Sequence, residues 1–160
     1  MWNGVIVMAQ YITINGEQTV NPNESIVFYA SNPCERGLIK HREGTGSFLL
    51  SGYVPYNTCG CRNRTAEYLV SFGANVAIPT GGDVEEISVA IEVDGATIPA
   101  SIMRSTPAAV EEFDSISRSI TADIWRGCCE TVTVKNTSAQ PILVSEAVIN
   151  FTRPDLYISR

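Results

Sequence analysis

Apolar and polar side chains alternate in and out along almost the whole chain, interrupted at short intervals by turn residues, and this pattern limits the fold more than any other feature of the sequence. Tyr68, Val70, Phe72, Ala74, Val76 and Ile78 share one parity, whereas Leu69, Ser71, Gly73, Asn75 and Ala77 share the other. Successive side chains of a strand leave from opposite faces, so residues 68–78 are predicted to have one core face and one face of small residues. Ile87, Val89, Ile91 and Val93 repeat the pattern, and Asp94-Gly95 then supplies the positive-φ pair of a tight hairpin into a strand at 97–104. Residues 115–124 and 131–135 alternate likewise, with Arg118 interrupting the apolar parity of the first and Asn136-Thr137-Ser138 turning the chain after the second. The run 142–152 is apolar on both parities, as expected of a strand covered on both faces. Earlier strands are predicted at 7–14, turned by Asn15-Gly16, and at 25–30, 37–41 and 47–53. The one helical signal, Thr106-Pro107-Ala108-Ala109-Val110, spans little more than a turn.

About nine or ten strands without room for parallel crossovers must close on themselves, because an open antiparallel sheet of that size leaves adhesive edges. The expected fold is all-β, an antiparallel two-sheet jelly-roll sandwich. A chain of 160 residues fits one such domain and buries about 70% of its extended surface. Residues 1–20 are read as an N-terminal docking segment with the first hairpin, and 21–160 as the jelly roll. On that reading, removal of residues 1–18 leaves a folded oligomer that has lost its partner.

Charge narrows the range of partners. The net charge is −6, with only two lysines, Lys40 and Lys135, so there is neither a basic footprint for nucleic acid nor a polybasic membrane anchor. No apolar run reaches the length of a membrane span, and residues 1–15 contain no Lys or Arg to form the basic start of a secretory signal. Cys34, Cys59, Cys61, Cys128 and Cys129 are odd in number and unevenly spaced, so they are expected to be mostly reduced thiols.

The sequence offers little for catalysis. His41 is the single histidine, no nucleophile elbow accompanies it, and a strand-end role is expected. Glu85-Glu86 and Glu111-Glu112 are adjacent pairs, which on a strand point to opposite faces and do not form an acid/base couple. Cys59-Gly60-Cys61 could place two thiols on one side of a loop, and with Cys34, His41, Cys128 or Cys129 could make a zinc site. The spacing differs from the paired ligands of zinc ribbons, and no metal or cofactor is expected. A disulfide tying Cys34 to the Cys59 loop is the oxidised alternative. The Pro79-Thr80-Gly81-Gly82-Asp83 stretch lacks the Lys-Ser/Thr ending of a phosphate loop and reads as a turn. Aromatic residues with polar neighbours remain: Trp2, Tyr11 and Trp125, joined by Arg118, are the candidate oligomer or docking contacts, with Tyr53, Tyr56 and Tyr157 of the same kind.

The order of "IEVDGATIPAS" at 91–101 and "VTVKNTSAQPILVSEAVINFTR" at 132–153 resembles the trimeric jelly rolls of the tumour necrosis factor and complement type, including the C-terminal domains of bacterial exosporium glycoproteins. Tyr68, Val70, Phe72 and Asn75, then Asp94-Gly95, then Asn136 match that layout. The stretches "HREGTGSFLLSG", "FGANVAIPTGGDVEEISVAI", "TPAAVEEF" and "RGCCETVTVKNTS" look like small proteins encoded among the virion genes of phages of gut Firmicutes. The resemblance implies a non-enzymatic virion component: a homotrimer on the phage head, packed on the major capsid protein or another virion protein and assembled in the host bacterial cytoplasm. An adhesin or lectin-like tip that binds a host glycan or receptor through the loop 55–64 is the alternative.

Overall fold

The structure, a computed structural model, describes residues 4–13, 16–32, 37–55 and 64–159. Trp2, Asn15, Cys34, Tyr56, Cys59 and Cys61 lie outside them. The strands are β1 (Gly4–Ile12), β2 (Gln18–Val20), β3 (Tyr29–Asn32), β4 (Ile39–His41), β5 (Phe48–Gly52), β6 (Thr65–Ala77), β7 (Ile87–Val93), β8 (Ala96–Thr97), β9 (Met103–Ser105), β10 (Asp114–Trp125), β11 (Gly127–Asn136) and β12 (Ile142–Ser159). One sheet runs β10-β6-β12-β1-β3, with β2 beside the start of β12. The other runs β4-β5-β11-β7-β8, with β9 also on β7. Every pairing is antiparallel. This is the expected two-sheet jelly roll, with extra strands because short segments pair separately.

The inward parities of the two sheets meet in one core. From the first sheet come Ala9, Tyr11, Tyr68, Val70, Phe72, Ile120, Ile124, Ile149 and Phe151; from the second come Phe48, Leu50, Val89, Ile91, Val132 and Val134. Aromatic rings concentrate where the sheets face each other: Phe48 lies 4.8 Å from Tyr11, 4.9 Å from Phe151 and 5.5 Å from Phe28, centroid to centroid.

Alternation places β7 at the expected bounds, and Asp94 (φ 47°) and Gly95 (φ 81°) make the left-handed turn that pairs Val93 with Ala96. The strand expected at 97–104 is instead broken into β8, a 3₁₀ turn at Pro99–Ser101, and β9. Pro99 has no N–H for a ladder. The buried Ser101 hydroxyl takes over, accepting from the Ile91 N–H at 2.9 Å and donating to the Ile98 carbonyl at 2.6 Å. No helix forms at 106–110. There the chain turns so that the Glu111 N–H donates to the Ile78 carbonyl at 2.7 Å, a tertiary bond that replaces a one-turn helix too short to be stable.

The strand expected at 25–30 starts only at Tyr29, because the chain crosses between sheets here. Ser25 bridges to Lys135 of one sheet, and Tyr29 pairs with Ile12 of the other. The Gln18 side chain spans the crossing, accepting from the Val27 N–H at 2.9 Å and donating to the Val27 carbonyl at 3.1 Å. Asn136 is fully buried and fixes its predicted turn through Nδ2 bonds to the Val20 and Gln140 carbonyls, both 2.9 Å, and an Oδ1 bond from the Ser138 N–H at 2.8 Å.

The N-terminal segment is not separate from the body. β1 lies inside the first sheet between β12 and β3 and contributes Ala9 and Tyr11 to the core, while β2 pairs with β12.

Candidate functional site

Two features outside the core stand out: the outer face of the first sheet and the end of the sandwich where β5 meets β11.

The register of the first sheet aligns its outward side chains in rows across β10, β6, β12 and β1. These are Thr121, Leu69, Thr152, Met8; then Ser119, Ser71, Asn150, Gln10; then Ser117, Gly73, Val148, Ile12. None carries a charge. Among the described residues, charges appear only beyond the rows, at the paired Asp123 and Glu67 on one side and at Glu146, which accepts from Asn75 Nδ2 at 2.7 Å, on the other. Met8 is 61% exposed, Leu69 43% and Ile12 39%. An uncharged surface with protruding apolar side chains and a charged border has the composition of a subunit contact rather than of a solvated sheet.

At the second feature, Gly52 of β5 passes so close to the chain leading into β11 that a Cβ there would overlap the Trp125 carbonyl oxygen and lie 2.9 Å from the Gly127 nitrogen. Only glycine permits this approach. Ser51, Gly52, Tyr53, Val54, Arg126, Gly127, Cys128 and Cys129 line a pocket of about 500 Å³ here. Beneath its rim lies Arg153, fully buried, with Nη1 donating to the Tyr53 carbonyl at 2.9 Å and Cζ 4.9 Å from the centroid of the Tyr68 ring. The Tyr68 hydroxyl donates to the Ser51 carbonyl at 2.6 Å. A buried guanidinium and a phenol thus hold both main-chain segments on either side of Gly52.

Cys128 and Cys129 are joined by a disulfide between adjacent residues. The expectation of reduced thiols therefore fails for this pair. The β11 ladder to β5 passes from Gly127↔Gly52 to Glu130↔Leu50, a bulge with one extra residue on β11, and the bonded pair occupies it.

Among the described residues, the predicted contacts Tyr11, Arg118 and Trp125 do not come together. Tyr11 is 1% exposed, its ring 4.8 Å from those of His41 and Phe48, so it is a core residue and not a docking contact. Its inward parity beside Ala9 was the signal, and it outweighs the polar neighbours. Arg118 lies on the inward parity of edge strand β10, opposite Phe72, but is exposed, and Nη2 donates to the Ile102 carbonyl at 3.0 Å. Trp125 is 62% exposed at the end of β10, and its N–H donates to Glu130 Oε2 at 3.0 Å. Met8, Ile12 and Leu69 were not singled out from sequence, although the small-residue parity of 69–77 pointed to their face.

His41 is half-buried. Its ring stacks on Phe48 at 4.5 Å, and Nε2 donates to the Thr45 carbonyl at 2.9 Å, so its position serves packing. Glu111 and Glu112 are exposed in a turn, with Glu111 accepting from Thr80 Oγ1 at 2.7 Å. Among the described residues, no three His, Cys, Asp or Glu side chains gather as metal ligands, and no helix is long and apolar enough to cross a membrane.

The chain is similar in structure to the Eiger TNF of S. frugiperda, with a TM-score of 0.65 at 12% identity over 92% of each chain. It is also similar to the globular domain of the zebrafish complement 1qA protein, with a TM-score of 0.60 at 11% identity over 91% of this chain and 94% of that one. Murine APRIL gives a TM-score of 0.60 at 9% identity over 93% of this chain and 99% of that one. No protein-family model matches the sequence, and no curated protein matches it. The fold is therefore the jelly roll of the tumour necrosis factor and complement type, and at these identities the likeness concerns the fold alone.

Proposed function

We propose that the protein is a non-enzymatic assembly subunit, a homotrimer built on the outer face of its first sheet. The observation that carries this reading is the charge-free set of rows from Ser117 to Met8, with Met8, Leu69 and Ile12 protruding into solvent in the single chain. Isolated apolar side chains are ordinary on a surface, but these share one sheet face bordered by charge. Three copies around an axis bury such a face without leaving a free copy of it, whereas a head-to-tail contact that does not close builds fibres. The resemblance of the sequence to trimeric jelly rolls favours closure at three.

The finer reading is a head-decoration protein of a bacteriophage, supported by the resemblance of residues 41–52, 72–91 and 126–138 to virion-encoded proteins. Trimerisation is tested by sedimentation equilibrium of the purified chain, with an expected mass three times that of one chain; a monomer at micromolar concentration contradicts it. Decoration is tested by cosedimentation with phage heads lacking the protein: saturable binding is expected, and no binding contradicts the virion role. An adhesin role draws on the exposed Tyr53 and Trp125 at one end of the sandwich. A saturable glycan-array signal with no binding to heads would favour it.

A further inference from the structure

Adjacent residues of a regular strand point to opposite faces, so neighbouring cysteines there cannot bond. The Cys128–Cys129 disulfide and the bulge between Gly127 and Glu130 are therefore one feature, since closing the ring takes both residues out of the alternating ladder. Cys128 is exposed and Cys129 half-buried, so an external thiol can reach the bond. Arg126 lines the same pocket and is, among the described residues, the one charged side chain on its wall. A cation there favours a departing thiolate. Glu130, which ends the bulge, holds the main chain of the exposed Trp125, so the ring is linked through this one residue to the exposed aromatic at this end of the sandwich.

We propose that Cys128–Cys129 is a reversible redox site, reduced on the folded protein by a dithiol, and that reduction changes the register of β11 and the setting of Trp125. One thiolate of the reductant attacks Cys128 Sγ and forms a mixed disulfide. The Cys128–Cys129 bond breaks, and its electron pair leaves on Cys129 as a thiolate that takes a proton from water. The second thiolate of the reductant then attacks its own sulfur in the mixed disulfide and releases Cys128 as a thiolate, which is likewise protonated. The protein has gained two electrons and two protons, and the reductant departs as its own disulfide. Without the ring, residues 128 and 129 are free to alternate as in a strand. The bulge then relaxes, and Glu130 moves relative to the Trp125 N–H.

The test uses full-length protein in which Cys34, Cys59 and Cys61 are replaced by Ser and Trp2 by Phe, leaving Trp125 as the only tryptophan. The folded protein is alkylated with iodoacetamide before and after dithiothreitol, with peptide mapping and tryptophan fluorescence as readouts. Before reduction, no adduct is expected on residues 128 and 129. Reduction should give one on each, with a shifted Trp125 emission that returns on reoxidation by diamide in an unalkylated sample. Arg126→Gln should slow the reduction severalfold. Adducts on both residues without reductant, adducts only after unfolding, or two adducts with unchanged Trp125 emission would each overturn the proposal. Should the multiple variant fail to fold, peptide mapping and amide exchange at residues 125–130 of the unaltered protein give the same decision.

Discussion

A chain beginning at Thr19 is expected not to fold. β1 is paired on both sides, to β12 along its length and to β3 near its end, so its removal leaves the longest strand of the sheet with an open edge and β3 without its neighbour. Tyr11 alone fills a fully enclosed site among Phe48, Phe151 and His41, and loss of a buried aromatic side chain costs about 3 to 5 kcal/mol. Ala9 and the whole ladder go with it, against a total stability of about 5 to 15 kcal/mol for a domain. The exposed β12 edge would also template aggregation. Circular dichroism and solubility of the truncated chain check this, with aggregated or unfolded material as the expected result. A soluble, cooperatively melting product would instead mean that residues 1–18 are an appendage.

Leu69→Lys is expected to split the trimer and leave the subunit folded. Leu69 is 43% exposed in the single chain, so its substitution leaves no cavity. In the assembly the same ammonium is taken out of water on every copy. An unpaired buried charge costs about 3 kcal/mol or more, which weakens each contact by a factor of about 100. Sedimentation should show monomers at concentrations where the parent is trimeric, with a melting temperature close to that of a diluted parent. Ala96→Lys, on exposed β8 of the other sheet, should leave the trimer intact. Equal dissociation in both variants would point to a general charge effect and away from this face.

The parts of the fold legible in the sequence were those governed by parity. Residues 87–93 alternate strictly and are flanked by Asp94-Gly95, and both the strand and its turn stand where expected. Parity could not reveal where one residue overrides the pattern. Pro99 breaks a run whose alternation is otherwise good, and the Ser101 hydroxyl that compensates reads in sequence as an ordinary turn residue. Arg153 looks like the polar end of the last strand but is wholly enclosed, because the Tyr68 ring and the Tyr53 carbonyl, distant in sequence, receive its guanidinium. β12 then continues to Ser159, past a register shift at Pro154, which cannot donate to the ladder. Nor does parity show that Cys128 and Cys129 sit in a bulge of β11, beside Gly127 at φ 132° and the close approach of Gly52.

Met8 gives the most direct access to the central claim, because it stands at the β1 end of the proposed contact face and is 61% exposed in one chain. Oxidation by dilute hydrogen peroxide, followed residue by residue by mass spectrometry, should be slow at Met8 in the assembled protein. In the Leu69→Lys variant it should approach the rate of a methionine in a short peptide. Met8 oxidising at the peptide rate in the unaltered protein, at concentrations where it sediments as an oligomer, would mean that the copies meet elsewhere.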